Sequence, residues 1–183
     1  NYGMILYILG MASGFEALFL LLPILVSLIY GESVLPFYLI CFAICAVFGV
    51  ISVLRKPKKI KMYTKEGLVA VALVWIWFSA FGAIPFVLTG EIPHYIDAFF
   101  EVVSGFTTTG ASILTDVEAL SHASLFWRSF THWVGGMGIL VFILAFIPNK
   151  GNGTIVHLMK AESPGPSVSK LVPKIRYTAA ILY

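Results

Sequence analysis

The sequence predicts an all-α membrane protein, and three observations support this fold class. Of its 183 residues, 59% are apolar and 11% are charged, whereas soluble domains carry about a quarter charged residues. The charges are clustered, which leaves uncharged stretches long enough to cross a bilayer as helices. A short amphipathic segment leads into the polar stretch VVSGFTTTGAS. Together these features predict two N-terminal transmembrane helices and one helix–pore-loop–helix repeat with a half-membrane re-entrant helix.

Four membrane spans are expected from the apolar stretches. The first covers residues 4–30 and is interrupted only by Glu16, the second covers 33–54, and the third covers 67–88. The fourth covers 124–147 and is uncharged from residue 129 onward. The sequence starts with Asn and stops where another apolar run has begun, so we expect a piece of a longer polypeptide.

The basic residues predict how the chain is oriented in the membrane. Eleven of the twelve follow the second or the fourth span: Arg55, Lys56, Lys58, Lys59, Lys61, Lys65, Lys150, Lys160, Lys170, Lys174 and Arg176. Basic loops stay in the cytoplasm, so the N-terminus is expected to be cytoplasmic and the segment 91–122 external. The same clusters suggest nucleic-acid binding as an alternative, but membrane orientation already accounts for them, so no nucleic-acid partner is expected.

The external segment begins with a predicted amphipathic helix. Its apolar residues recur at three- and four-residue steps: Ile96, Phe99, Phe100, Val103 and Phe106. The helix can start after Pro93 and must end near Gly105. Its length of ~15 Å is about half the hydrocarbon thickness. We therefore expect a helix that enters from outside and ends at mid-membrane, with its partly negative C-terminal end at the bilayer centre.

The polar stretch after this helix is predicted to be a filter strand. Non-helical backbone at membrane depth is tolerated only against protein or a water-filled cavity. The residues of the strand are small or carry hydroxyl groups: Thr107, Thr108, Thr109, Gly110 and Ala111. Their carbonyl and hydroxyl oxygens suit a dehydrated cation. The alternative is a capped surface loop, which would not need an amphipathic helix of half-membrane length.

Three charged residues are predicted to support the pore helix. Arg128 is the single basic residue outside the two cytoplasmic clusters. We expect it to pair with Glu101 or with Asp97, and the alternative is that it reaches the lipid headgroups. Glu16 is costly inside a membrane; a structural role is expected, in which it pairs with another helix or reaches water.

Small residues within the spans are expected to serve packing. Cys41 and Cys45 lie four residues apart, where a disulfide has poor geometry, so buried thiols are predicted. Close helix contacts are predicted at the glycines Gly10, Gly14, Gly135, Gly136 and Gly138. The sequence contains no zinc, triad or phosphate-loop pattern, and an enzyme is not expected.

Two stretches carry a resemblance to a known family. DAFFEVVSGFTTTGAS and LFWRSFTHWVGGMGILVF resemble the pore segment and following helix in the first repeat of TrkH-type potassium uptake proteins, members of the Trk/Ktr/HKT superfamily. NYGMILYILG and LLLPILVSLIYGE look like the two-helix extension of that family. AESPGP and KIRYTAAILY look like its lead into a second repeat.

The resemblance implies a function for the filter strand. The family has four such repeats around one pore, and each supplies a strand with a glycine matched here by Gly110. Thr108, Thr109 and Gly110 are then expected to present oxygens to the transported potassium ion, with no organic cofactor. The resemblance also implies a homodimer in the bacterial plasma membrane, in contact with lipid and with the remaining repeats. A TrkA-like cytosolic nucleotide-binding ring is the expected regulatory partner.

The predicted organisation has four parts. Residues 1–54 form the extension, 55–66 a basic cytoplasmic loop, 67–148 the first repeat, and 149–183 a cytoplasmic linker with the start of a second repeat. Two alternatives to a potassium pore remain open: an ion-coupled secondary transporter with a broken helix, and a non-conducting membrane assembly subunit.

Overall fold

The chain folds into six α-helices over the residues that the structure describes. The computed structural model describes residues 2–55 and 64–137. Its helices are α1 (Tyr2–Tyr30), α2 (Leu35–Leu54), α3 (Thr64–Gly82), α4 (Ile84–Leu88), α5 (Tyr95–Phe106) and α6 (His122–Met137). No β-strand occurs in these two ranges, and the predicted all-α class is confirmed. Predictions for 56–63, for the end of the fourth span and for the linker from 149 onward lie outside the described residues.

Three helical stretches are long and apolar enough to cross a membrane. They are Gly3–Tyr30, Leu35–Leu54 and Gly67–Leu88, with mean hydropathies of 2.1, 2.7 and 2.1, and they agree with the first three predicted spans. The helix of the fourth span, α6, begins at His122 and is described as far as Met137. Many large apolar side chains of α1, α2 and α3 are exposed, as a surface in contact with lipid requires.

α1 packs against three of the other helices. It contacts α2, α3 and α6, and the side chains of Ala12 and Leu20 on it are fully buried. The indole of Trp77 on α3 donates a hydrogen bond to the hydroxyl of Ser13 on α1 at 2.7 Å. The two-helix extension therefore shares one core with the repeat.

Glycines allow α1 and α2 to approach closely. A Cβ atom built on Gly49 of α2 would lie 2.8 Å from the Cα atom of Gly14 on α1, and one built on Gly10 of α1 would overlap the Cβ atom of Ser52 on α2, so neither Gly49 nor Gly10 has room for a side chain. The predicted G-x-x-x-G contact on α1 is confirmed at this crossing. Cys41 and Cys45 are free and 1% exposed, as predicted for packing thiols.

Two carboxylates hold the N-terminus of α6. Glu32, between α1 and α2, accepts hydrogen bonds from the backbone N–H groups of His122 at 2.6 Å and Ala123 at 3.1 Å. Glu91, between α4 and α5, accepts one from the N–H of Ser121 at 2.6 Å. The first N–H groups of a helix lack partners within it and carry its positive end, so acidic groups stabilise them. α6 is thereby fixed to the extension and to the loop before α5.

Glu16 corrects an expectation from the sequence. Its side chain is 0% exposed, and neither carboxyl oxygen has a hydrogen-bond partner among the described residues. The prediction that Glu16 pairs with another helix or reaches water is therefore wrong for this part of the chain. The physical reason is that Glu16 lies on the side of α1 that is covered by the other helices.

Candidate cation site at the end of α5

The candidate site begins with the amphipathic helix α5. Its bounds, Tyr95–Phe106, agree with the predicted start after Pro93 and end near Gly105. Twelve residues at ~1.5 Å each give about 18 Å, roughly half a membrane. One face packs against α3 and α6. The buried residues of α5 are Ala98, Glu101, Val102, Ser104, Gly105 and Phe106.

α5 ends in a left-handed turn. The N–H of Thr108 donates to the carbonyl of Gly105 at 2.9 Å, and the N–H of Thr109 donates to the carbonyl of Ser104 at 3.0 Å. These are the two hydrogen bonds of a Schellman motif. The left-handed residue is Thr108, with φ 56°, where glycine is usual. A β-branched residue in this conformation stores strain of about 1–3 kcal/mol, which is typical of functional segments.

Ser104 holds the strand that follows the turn. Its hydroxyl donates to the carbonyl of Ala111 at 2.5 Å, and its own carbonyl accepts from Thr109. The side chain of Ser104 is 4% exposed, so water does not compete for these contacts. Gly110, between Thr109 and Ala111, has a φ of 75°. The strand 107–111 is therefore held against the last turn of α5.

The carbonyl groups of this strand are not equivalent. All five residues that the sequence singled out lie together and are exposed: Thr107, Thr108, Thr109, Gly110 and Ala111. The carbonyl of Thr107 accepts the hydroxyl of Thr108 at 2.7 Å, and that of Ala111 is taken by Ser104. The carbonyls of residues 108, 109 and 110 accept no hydrogen bond from the described residues.

These unpaired oxygens have the chemistry of a cation site. They lie at the C-terminal end of α5, which carries the partly negative end of the helix dipole. The hydroxyl oxygens of Thr107 and Thr109 lie 2.8 Å apart beside them. Within the described ranges, no group of three His, Cys, Asp or Glu side chains could hold a metal ion. Backbone and hydroxyl oxygens are thus the cation-binding groups that this segment offers.

Glu101 anchors the chain beyond the strand. Its carboxylate is 1% exposed and accepts hydrogen bonds from the hydroxyl of Ser112 at 3.0 Å and the N–H of Ile113 at 3.2 Å. The Nε atom of Arg128 on α6 lies 2.5 Å from the Oε1 atom of Glu101. Of the two partners that the sequence left open for Arg128, the structure brings Glu101 to it, while Asp97 makes no ion pair among the described residues.

Glycines also bring α5 and α6 together. A Cβ atom on Gly135 would lie 2.9 Å from the Cα atom of Phe106, and one on Gly105 would lie 3.1 Å from the Cβ atom of Thr131. The packing role predicted for Gly135 is confirmed, and Gly138 lies outside the described residues. The end of α5, from which the strand starts, is thus positioned directly by α6.

The sequence did not identify Ser104 and Ser112 as part of the site. Ser104 lies one helical turn beyond Glu101, on the same buried face of the amphipathic helix, and this placement was the available signal. Its hydrogen bond to Ala111 depends on the left-handed turn at Thr108, which the sequence pattern does not reveal.

The part of the chain that carries the candidate site matches a known protein family. The family model described as TrkH, a cation transport protein, matches residues 35–183. This match runs from α2 to the end of the chain and includes α5, the strand and Arg128. The chain belongs to the TrkH family. Family membership confirms the predicted resemblance, and together with the three long apolar helices it confirms a multi-pass membrane protein.

Relatives in the TrkH family match almost the whole chain. The Trk system potassium uptake protein TrkH of Halomonas elongata is 37% identical over 184 residues, which is 98% of this chain and 38% of the relative. The protein of the same name from Escherichia coli K12 is 38% identical over 170 residues, 90% of this chain and 34% of the relative.

A solved structure in the TrkH family has the same architecture. The crystal structure of the potassium transporter TrkH from Vibrio parahaemolyticus matches with a TM-score of 0.75 and 27% identity, over 98% of this chain and 37% of that chain. The match includes α1, which precedes the residues of the family model. The chain thus spans little more than a third of the length of these relatives.

Proposed function

We propose that this chain is part of a potassium uptake protein and supplies one strand of its selectivity filter. The observation that carries the proposal is the set of unpaired carbonyl groups of Thr108, Thr109 and Gly110 at the C-terminal end of α5. Backbone carbonyl oxygens replace the hydration shell of potassium in ion filters. Potassium is the transported ion in this proposal, which includes no organic cofactor.

The exposure of the strand supports a place inside a larger pore. Unpaired carbonyl groups at membrane depth must face protein or a water-filled cavity. The family resemblance implies three further repeats, whose strands would complete the ring of oxygens around one axis. Potassium would then enter down the membrane potential, which supplies ~2.3 kcal/mol per charge per 100 mV, and no covalent chemistry is needed.

Gly110 provides the test of this function. The intact polypeptide from which this chain comes would be expressed in cells lacking potassium uptake, and rubidium-86 influx would be measured. Serine at position 110 strains the backbone at φ 75° by roughly 1–2 kcal/mol and adds a side chain among the carbonyl groups. We expect Gly110→Ser to reduce influx, or rubidium-over-sodium discrimination, by about tenfold.

Gly90 offers a matched control for this substitution. It has φ 78° and, like Gly110, has nothing within 4 Å of a Cβ position, but it lies outside the strand. Gly90→Ser should transport like the wild type. Normal influx and selectivity in a well-inserted Gly110→Ser protein would contradict the filter. An ion-coupled secondary transporter with its site elsewhere would then be favoured, whereas absence of wild-type influx would favour a non-conducting assembly subunit.

We also propose an orientation and partners for the whole protein. The positions of the basic residues support a cytoplasmic N-terminus in a bacterial plasma membrane, with α5 entering from outside. The family resemblance supports a homodimer in lipid that binds a TrkA-like nucleotide-binding ring from the cytoplasm. Ser33 is exposed between α1 and α2, so a cysteine there should react with an impermeant thiol reagent on intact cells. Failure to react would contradict this orientation, and chemical crosslinking of the purified protein checks the dimer.

A further inference from the structure

Glu16 occupies an unusual place that the proposed filter does not use. It is the single charged residue of α1, and α1 is long and apolar enough to span a membrane. Its side chain is 0% exposed, and both carboxyl oxygens lack a hydrogen-bond partner among the described residues. Buried carboxyl groups are usually paired or hydrogen-bonded, so this group requires an explanation.

The surroundings of Glu16 join the extension to the pore repeat. A Cβ atom built on Gly82, at the end of α3, would lie 3.4 Å from the Oε1 atom of Glu16, 3.1 Å from Val102 on α5 and 3.5 Å from Trp127 on α6. The carboxyl group therefore lies at the meeting point of α1 with three elements of the repeat, immediately behind the pore helix.

Among the described residues, the titratable groups near enough to Glu16 to interact with its charge cannot neutralise a carboxylate. They are the thiols of Cys41 and Cys45 on α2 and the phenol of Tyr95 at the start of α5. All three are uncharged or negative, and no cationic side chain pairs with Glu16 in the described part of the chain. The side chain is also 0% exposed within this chain, so the helices of this chain already enclose the carboxyl group.

A proton satisfies the chemistry of this site. An unpaired carboxylate in an apolar interior is far more costly than a neutral acid, and no described residue offers the carboxyl oxygens a hydrogen bond or a counter-charge. We propose that Glu16 is an intramembrane proton-binding site, where the carboxyl group carries a proton as a neutral acid between the two-helix extension and the back of the pore helix. Loss of that proton would place an unpaired charge at this junction and weaken the packing of α1 on the repeat. The proposal does not depend on the function of residues 107–111.

Infrared spectroscopy of the full-length protein tests the proton directly. A protonated carboxylic acid and a carboxylate have separate carbonyl stretching bands. The difference spectrum between the wild type and Glu16→Gln, both in lipid nanodiscs at neutral pH, should show the loss of one protonated-acid band. Loss of carboxylate bands instead would overturn the proposal. Glu118→Gln, at an exposed position, is the matched control and should show the loss of carboxylate bands.

The pH dependence of stability provides a second measurement. A group that binds a proton when folded and releases it when unfolded destabilises the fold as pH rises, by about tenfold in the folded-to-unfolded ratio per pH unit. The thermal unfolding midpoint of the wild type should therefore fall relative to Glu16→Gln between about pH 5 and 8. If the Glu16→Gln variant does not accumulate, Glu16→Met, which also carries no charge, replaces it in the comparison with the wild type. A difference that is constant with pH would overturn the proposal.

Discussion

Ser104 ties Thr109 and Ala111 to the last turn of α5. It accepts the N–H of Thr109 through its backbone and binds the carbonyl of Ala111 through its hydroxyl. We predict that Ser104→Ala releases the Ala111 carbonyl and loosens the strand, at a cost of about 1 kcal/mol. Rubidium-over-sodium discrimination in the influx assay should fall by roughly fivefold, with little change in protein level.

Ser79 provides the matched control for this change. Its buried hydroxyl donates to the carbonyl of Trp75 at 2.9 Å within α3, so Ser79→Ala removes the same chemical group away from the strand. It should leave ion discrimination unchanged. Equal effects of both substitutions would show that Ser104 acts through general stability and not by positioning the strand.

The buried carboxylate of Glu101 needs a counter-charge, and Arg128 supplies it. Arg128→Gln leaves the carboxylate unpaired, which costs about 3–5 kcal/mol, so membrane accumulation and thermal stability should fall strongly. Adding Glu101→Gln removes the charge and keeps an oxygen for the N–H of Ile113. The double variant should therefore be more stable than Arg128→Gln alone.

A simple exchange of the two residues is a poorer test of this pair. An arginine at position 101 could not accept the hydrogen bonds from Ser112 and Ile113 that the carboxylate receives. Thermal unfolding of Arg128→Gln, Glu101→Gln and the variant with both changes measures the coupling directly. If the stability losses of the two single variants simply add in the double variant, the two side chains are not coupled.

At the scale of elements, the contact of α5 with α6 positions the start of the strand. Gly135→Ala would force a methyl group against the backbone of Phe106, where a Cβ atom has 2.7 Å to the carbonyl carbon. We predict that this substitution displaces the end of α5 and reduces rubidium influx by about tenfold or more, because contacts in a packed interface cannot shift freely.

The neighbouring Gly136 is the control that distinguishes loss of this contact from a general effect of alanine on α6. A Cβ atom on Gly136 would lie 3.8 Å from the side chain of Thr108, an ordinary contact distance. Gly136→Ala should therefore keep most of the influx. Equal loss of influx in both alanine variants would contradict this prediction. It would show that the glycines of α6 are needed for a reason other than the close approach of α5.

At the scale of the whole molecule, Glu32 links the extension to the repeat through the N-terminus of α6. Burial raises the pKa of Glu32, but hydrogen bonds from the backbone and ring of His122 and from the N–H of Ala123 outweigh this effect and lower the pKa below its usual value. Such a group stabilises the fold above the usual carboxyl pKa. This contribution is lost as the pH falls through the lower, folded-state pKa.

Glu32→Gln should therefore destabilise the protein in a pH-dependent way. At pH near 7 we expect a loss of about 1 kcal/mol, typical of a helix-capping group, seen as a lower thermal unfolding midpoint. The difference from the wild type should shrink as the pH falls below about 4 and vanish below the lowered, folded-state pKa of Glu32, where both side chains are uncharged. Glu118→Gln, at an exposed position between α5 and α6, should show no such difference. A loss that persists unchanged in acid would contradict the mechanism.

Much of the fold could be predicted because its signals are local. Long apolar runs located the first three spans, and apolar spacing located α5 within one or two residues. The G-x-x-x-G spacing of Gly10 and Gly14 correctly indicated a close helix contact. The capping of α6 by Glu32 and Glu91 was not predicted, because it depends on how separate elements meet.

The sequence by itself determined that this is an all-α membrane protein with an amphipathic half-length helix followed by a polar strand, since composition, charge and periodicity act over a few neighbouring residues. Only the tertiary structure decided which strand carbonyls are free, that Arg128 pairs with Glu101, and that Glu16 is sealed without a partner. These outcomes depend on distances between residues far apart in the chain. A one-dimensional pattern does not contain them.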